Sequence, residues 1–268
     1  MAKRYIPPFK EFAIGTAFRA GTILMRNFHD SVKRNPVKKS RYEIVTKSDI
    51  EVHKFIEFKI KQQFPDHNFL SEEGDRIEQG SKYTWVVDPL DGTLNYTIGN
   101  PFFSTSLTLL ESGVPIIAVT YAPFGREMFV AEKGRAARLN ERNMKVSKET
   151  SLADSVVSYA YFYREKSSRD KAMKLLMNLE DKSRSMRHLG CTSLELAYVA
   201  TGRLEAEVIS PPLRHWDIAA GILLVESAGG KITNFKGEEW EGLHQGIVAS
   251  NGHTHNAILK IISQHKIQ

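Results

Sequence analysis

The chain has 268 residues, 41% hydrophobic and 25% charged, a balance that excludes both a disordered polymer and a chain embedded in lipid and leaves room for one large domain or two smaller ones sharing an interface. Its longest apolar runs, such as 218–225, fall far short of the roughly 20 residues of a membrane span, and the basic N-terminus lacks an apolar signal core, so a cytoplasmic location is expected. Cys191 is the single cysteine, which excludes an intrachain disulfide and reads as a small structural residue, while the net charge of +6 points to anionic partners.

Residues 9–28 carry Phe9, Phe12, Ala13, Ala17, Ala20, Ile23 and Leu24 on one stripe at helical spacing and predict the first helix. Lys33, Arg34, Lys38, Lys39 and Arg41 follow as a basic cluster. A solvated face is its plainer reading, and attraction of a phosphorylated substrate or a nucleic acid the other; no interleaved aromatics or recognised nucleic-acid module accompany it. In Thr46-Lys47-Ser48-Asp49-Ile50-Glu51, Ser48 and Glu51 have capping-box spacing and Asp49 falls in the first turn of a second helix, which runs from about Asp49 to Phe64 and ends before Pro65. Alone, this is helix initiation.

Asn68-Phe69-Leu70-Ser71-Glu72-Glu73-Gly74-Asp75 begins apolar and ends in adjacent glutamates; by itself it passes for a solvated loop. The more informative segment is Thr84-Trp85-Val86-Val87-Asp88-Pro89-Leu90-Asp91-Gly92-Thr93. Trp85 to Val87 read as a buried strand, and Asp88 and Asp91 emerge at its exit three residues apart, where mutual repulsion favours a shared cation. Oxygen ligands point to Mg²⁺ or Mn²⁺, and a strand-end acidic pair suits a metal shared with substrate phosphate. Gly92 tolerates positive φ, and Thr93 adds a hydroxyl. A plain Asp-Gly hairpin turn is the competing reading.

Strands are then expected at 103–110, 116–121 and 127–131, the first two joined across Glu111-Ser112-Gly113 in a meander. Near Ser151 the pattern changes to alternating strand and helix. The expected division is therefore an N-terminal α+β half at 1–150, with the antiparallel sheet and most of the acidic motifs, and a C-terminal α/β half at 151–268. Pro211 and Pro212 break the chain before a helix on which Trp216, Ala219, Ala220, Leu223 and Leu224 recur at helical spacing, with Gly229-Gly230 as its stop. Asp217 falls in its first turn, where dipole compensation is as good a reading as a ligand. His188, His244, His253 and His255 lack zinc-ligand spacing and read as surface or packing residues.

Taken together, the four acidic elements resemble the inositol monophosphatase superfamily of Mg²⁺-dependent, Li⁺-sensitive phosphatases, in its inositol-1-monophosphatase-like branch. One signature is Trp85 to Thr93 with Leu94-Asn95-Tyr96; the other is Trp216-Asp217-Ile218-Ala219-Ala220-Gly221 running to Glu226-Ser227-Ala228-Gly229-Gly230. The resemblance covers nearly the whole chain and implies a five-layered αβαβα sandwich and a homodimer. It also implies two to three Mg²⁺ per site: one held by Glu72, Asp88 and the Leu90 carbonyl, a second by Asp88, Asp91 and Asp217, and a weaker third mostly by water and Glu72.

The implied reaction is in-line attack of a metal-bound water on a phosphate monoester without a phosphoenzyme. Glu72 and Thr93 would orient or deprotonate the water, Asp49 would hydrogen-bond Thr93, and the Gly92 and Thr93 amides would cradle the phosphate. Asp91, Gly190, Cys191, Thr192 and Glu207 complete the implied substrate contacts. Relatives on the same scaffold act on fructose 1,6-bisphosphate, histidinol phosphate or 3′-phosphoadenosine nucleotides, and some bacterial ones have a role in transcription complexes, so these remain alternatives. Members of the inositol branch carry a glutamate shortly before the second signature. Counting back from Asp217 lands here on Ser210, with Glu207 the nearest acid and Glu205 on the same face if strand alternation holds, so relaxed substrate selection is expected.

Overall fold

The computed structural model describes residues 9–31, 37–38, 44–161, 166–240 and 245–264; Lys33, Arg34, Lys39, Arg41 and His244 lie outside them. Helix α1 (Phe9–Ser31) runs three residues past its predicted end. After the two-residue strands β1 (Val37–Lys38) and β2 (Ile44–Val45), α2 (Lys47–Gln63) starts two residues earlier than expected because its N-cap is Thr46, not Ser48. The Thr46 hydroxyl accepts from the Ser48 and Asp49 amides, and the Asp49 carboxylate accepts from the Thr46 amide at 2.8 Å. An aspartate three residues into the helix thus closes the capping box in place of Glu51.

Strands β3 (Asn68–Ser71), β4 (Tyr83–Asp91), β5 (Ser104–Glu111), β6 (Val114–Ala122), β7 (Glu127–Glu132), β8 (Arg138–Leu139) and β9 (Arg142–Asn143) form a seven-stranded sheet in that order, with the short helix α3 (Thr93–Thr97) between β4 and β5. Its β3–β4 pair is parallel and the rest is the predicted meander, extended by one hairpin. Beyond come β10 (Val156–Ala160), α4 (Lys166–Glu180), β11 (Ser185–Arg187), α5 (Thr192–Ala200), β12 (Ala206–Ile209), α6 (His215–Ser227), β13 (Lys231–Asn234), β14 (Ile247–Ser250) and α7 (His255–Ser263). These strands make a five-stranded sheet in the order β11-β10-β12-β14-β13. The expected alternation of strand and helix breaks at β13, which pairs antiparallel with β14 with no described helix between them.

Side-chain alternation along the strands sets the layers. On β6, Ile117, Val119 and Tyr121 pack with Ala17 and Leu24 of α1 and Ile56 of α2, whereas Ala118 and Ala122 face Leu196 of α5 and Leu224 of α6. On β12, Ala206 and Val208 meet Leu175 of α4 and Ile258 of α7, and Ile209 faces α5 and α6. The stacking is therefore α1/α2, the large sheet, α5/α6, the small sheet and α4/α7, the five-layered αβαβα sandwich expected from the resemblance. Helices α5 and α6 are covered by a sheet on either side, which is why both are mostly apolar, and each large aliphatic side chain they bury contributes about 1.5–3 kcal/mol. Gly221 lets them touch: a Cβ there would lie 2.2 Å from Leu196 Cδ1. No described helix is long and apolar enough to cross a membrane.

His255 is fully buried at the start of α7, its Nε2 2.9 Å from the Thr233 hydroxyl and its Nδ1 2.8 Å from that of Ser250. Burial, with help from Lys231, pushes its imidazole down to about 4 from an ordinary 6.5. A buried neutral base contributes stability that is present above the unfolded value and lost as pH falls towards the folded one. Stability is therefore expected to drop between pH 6.5 and about 4 by up to about 3 kcal/mol, at about 1.36 kcal/mol per pH unit. Urea unfolding of wild type and His255→Gln across that range checks this: parallel pH profiles would show that His255 is not responsible.

Candidate active site

The site is built around the end of β4. Cα partners there pass from Asp88↔Ser106 directly to Asp91↔Ser104, so Pro89 and Leu90 together face Thr105 in a bulge. Residues three apart on a regular strand point to opposite faces; one extra residue returns them to the same side. The Asp88 Oδ1 accepts from the Leu90 amide at 3.0 Å, a local turn that Pro89 favours by lacking an amide hydrogen. Gly92 follows at φ +84°, and a Cβ there would lie 2.9 Å from the Phe102 carbonyl and 3.2 Å from Cys191 Cβ, so the turn admits only glycine.

Thr93 opens α3, its hydroxyl 2.9 Å from the Leu90 carbonyl and 3.3 Å from Asp49 Oδ1. Asp49 is 1% exposed, and burial raises its carboxyl to about 6, against the pull of its Thr46 hydrogen bonds. The tie between α3 and the outer helices is Tyr96, fully buried, whose hydroxyl donates to the Leu24 carbonyl at 2.7 Å and lies 3.1 Å from the Ser48 hydroxyl.

Two further carboxylates arrive from elsewhere. Because β3 is parallel to β4 with Ser71 opposite Val87, Glu72 leaves its strand beside Asp88, its amide donating to the Val87 carbonyl. His53 of α2 holds that exit, with Nδ1 3.0 Å from the Ser71 hydroxyl and its ring against Gly74. Asp217 lies in the first turn of α6, whose start is tied to the large sheet by a 3.4 Å bond from the Ser106 hydroxyl to the Trp216 carbonyl; Ser106 is the strand partner of Asp88. Burial raises Asp88, 1% exposed, well above the usual carboxylate range, and Glu72, Asp91, Asp217 and Asp49 add to the rise. Asp217 is raised by burial and then by Asp91 and Glu72. Among the described residues no three His, Cys, Asp or Glu side chains are already gathered in a metal-binding arrangement. The donor set, all hard oxygen and mutually repelling, nonetheless fits Mg²⁺ in kind.

Loop 189–193 closes over the Asp91 turn. Ser193 donates to Asp91 Oδ2 from its amide and its hydroxyl, both at 2.6 Å, and Asn95 Nδ2 donates to the Leu189, Gly190 and Phe102 carbonyls. Neither residue was singled out from the sequence; Asn95 stood inside the quoted motif, and Ser193 had no signal beyond following Thr192. Gly190, at φ +76°, borders the turn. The Cys191 side chain does not serve as a substrate contact: it is 1% exposed, its thiol lies 3.4 Å from the Asp91 carbonyl, and burial pushes it up, which suits the structural reading. Thr192 is also buried, at 7% exposure.

The expectation for Glu207 needs correction. It is fully buried between β12 and α5, where it meets Glu195, and does not reach a cleft. Glu205, one residue before β12, is committed to backbone, its carboxylate accepting from the Val156 amide at 2.7 Å. Ser210 is fully buried on the Tyr159 hydroxyl.

A sequence model of the inositol monophosphatase family matches residues 7–266. The chain belongs to that family. As a member of it, the protein is a phosphatase of phosphate monoesters. A Thermotoga maritima protein named fructose-1,6-bisphosphatase/inositol-1-monophosphatase is 34% identical over 255 residues, 95% of each chain. A Xylella fastidiosa protein named Nus factor SuhB is 34% identical over 232 residues, 87% of this chain and 84% of its own. The crystal structure of extragenic suppressor protein suhB from Bartonella henselae matches with a TM-score of 0.90 at 30% identity, covering 95% of this chain and 98% of that one.

Proposed function

We propose that this inositol monophosphatase-family chain uses Mg²⁺ to hydrolyse small phosphate monoesters, inositol 1-phosphate foremost, by direct in-line attack of water. The observation that carries this is the mutual electrostatic influence of Glu72, Asp88, Asp91 and Asp217, which come from three separate parts of the chain, beside the Asp49–Thr93 contact. Glu72, Asp88 and the Leu90 carbonyl would hold one Mg²⁺, Asp88, Asp91 and Asp217 a second, and Glu72 with water a third. Bound there, Mg²⁺ would neutralise phosphoryl oxygens and lower the pKa of water.

The chain's own residues do the rest. Thr93 accepts the proton of the attacking water and passes its own to Asp49, whose carboxyl near 6 is suited to take a proton at neutral pH. The turn at Gly92 and Thr93 seats the phosphate, with Gly190 bordering it. The Asp91 carboxylate is kept in place by its two bonds from Ser193.

Substrate selection follows from what the cleft lacks. With Glu207, Glu205 and Ser210 all committed to the interior or to backbone, no carboxylate from that segment pairs with ring hydroxyls, which supports relaxed specificity. Phosphate release from inositol 1-phosphate, fructose 1,6-bisphosphate, glycerol phosphate, histidinol phosphate and a 3′-phosphoadenosine nucleotide is expected to agree within about an order of magnitude in kcat/KM for the sugar and polyol esters. Activity should need Mg²⁺, fall with millimolar Li⁺, and be inhibited by Ca²⁺, which prefers more ligands and longer bonds. Full activity in EDTA would refute the mechanism, and a dominant preference for the nucleotide would replace the inositol reading.

Likeness to relatives named Nus factor SuhB supports a second, added role in a transcription complex. Salt-sensitive RNA retention by an Asp88→Asn variant would favour it. The protein is further proposed to be a cytoplasmic homodimer, checked by light scattering.

A further inference from the structure

Between the small sheet and α5 lie two carboxyl groups that the proposed catalysis does not use. Glu195 on α5 is 1% exposed and Glu207 on β12 is fully buried. Glu195 Oε1 accepts from the Leu189 amide at 2.7 Å and the Gly190 amide at 2.9 Å. Its Oε2 and both Glu207 oxygens are buried with no hydrogen-bond partner among the described residues, and the two carboxyl groups lie close enough to interact with each other. Ser158, the strand partner of Glu207 on β10, is buried with its own hydroxyl unpartnered, and the other ladder partner is Ala249 on β14, so neither neighbour supplies a charge. The titratable groups that act on the pair are His188, just before α5, and Asp91, at the end of β4.

Carboxylate oxygens only accept, so two of them in contact require a proton, and that proton turns one group into a donor. Leaving both ionised would desolvate two like charges with no cation between them. The backbone decides which group keeps the proton. Two amide bonds favour the charged form of Glu195, while Glu207 accepts none. Burial raises both carboxyls, Glu207 the further, with Glu195 and Asp91 adding to its rise.

We propose that Glu207 is a carboxylic acid that keeps its proton, donates it to Glu195, and so acts as a positioning residue for the 189–193 loop that holds Asp91. The path is continuous. Glu195 fixes the Leu189 and Gly190 amides, their carbonyls take the Asn95 amide of α3, and Ser193 grips Asp91 Oδ2. Only the last link rests on the proposed metal-dependent phosphatase; the protonation of Glu207 stands apart from it.

The test compares wild type, Glu207→Gln and Glu207→Leu. In infrared difference spectra of the metal-free protein recorded above neutral pH, wild type minus Glu207→Gln should show a carboxylic-acid carbonyl band that shifts in D₂O; the acids around Asp88, common to both proteins, cancel. The glutamine amide can donate to Glu195 in place of the acid, so half-saturating Mg²⁺ and kcat/KM should stay within about threefold of wild type. Leucine leaves Glu195 without a donor, and half-saturating Mg²⁺ should rise about tenfold or more, the range expected when a group behind a ligand is lost. Absence of the band, a glutamine variant as impaired as the leucine one, or a leucine variant equal to wild type would each overturn the proposal. If Glu207→Leu does not fold, the band and the behaviour of Glu207→Gln still decide it; if wild type shows no phosphatase activity, the band alone does.

Discussion

Asp88→Asn is expected to lower kcat by about 10³-fold and to leave the fold intact, since metal charge stabilisation supplies several kcal/mol and each 1.36 kcal/mol is a factor of ten. Asp88 is the residue proposed to be shared by the first two cations, and the others cannot replace it: Oδ2 of Asp91 is held by Ser193, while Glu72 and Asp217 come from separate elements. Asparagine can keep the bond from the Leu90 amide, so the bulge survives. The effect on stability has the opposite sign from the effect on rate. Burial and the neighbouring carboxylates raise Asp88 well above 3.8, and a raised carboxyl contributes stability below that value that is lost as pH rises through the folded one. Metal-free wild type should therefore weaken as pH rises towards neutrality, and the variant should melt at the same temperature or higher, with a gap that widens with pH. Near-wild-type turnover would remove Asp88 from the metal site, and a large fall in the melting temperature of the metal-free variant would show that its carboxylate stabilises the fold instead.

Thr93→Ala and Asp49→Asn should each reduce kcat by about 10²-fold or more, the usual cost of losing a positioned proton-transfer group, with smaller changes in KM. The 3.3 Å contact between Thr93 Oγ1 and Asp49 Oδ1 makes them one relay, so the double variant should lose little more than either single one. Neither variant should unfold the protein: an asparagine oxygen at 49 can still accept from the Thr46 amide and keep the capping box of α2, and Thr93→Ala releases only the bonds to Leu90 and Asp49. Fully additive losses in kcat would mean that the residues act independently, and a Thr93→Ala enzyme with unchanged kcat would leave the relay without its first acceptor.

Much of this protein was legible in the chain because the signals are local. Helical spacing marked α1 and α6, apolar runs joined across Glu111-Ser112-Gly113 marked β5 and β6, and the burst of carboxylate, proline and glycine after Trp85-Val86-Val87 marked the site, with a plain Asp-Gly turn as the competing reading. Caps were less secure. Thr46 and Ser48 both offer a hydroxyl ahead of an acid three residues on, and only the folded backbone, extended at Thr46, selects between them.

What tertiary structure alone decided are the distances between segments that the sequence leaves far apart. Two acids three residues apart share a side only because two residues of β4 bulge against Thr105; Glu72 joins them only because β3 pairs in parallel at Ser71↔Val87; and Asp217 faces them through a bond from Ser106. Glu207 shows the converse. An acid near the second signature looks like a substrate ligand until the face of β12 that carries it is seen to be covered by α5, because alternation tells which residues share a face and burial tells which face meets solvent.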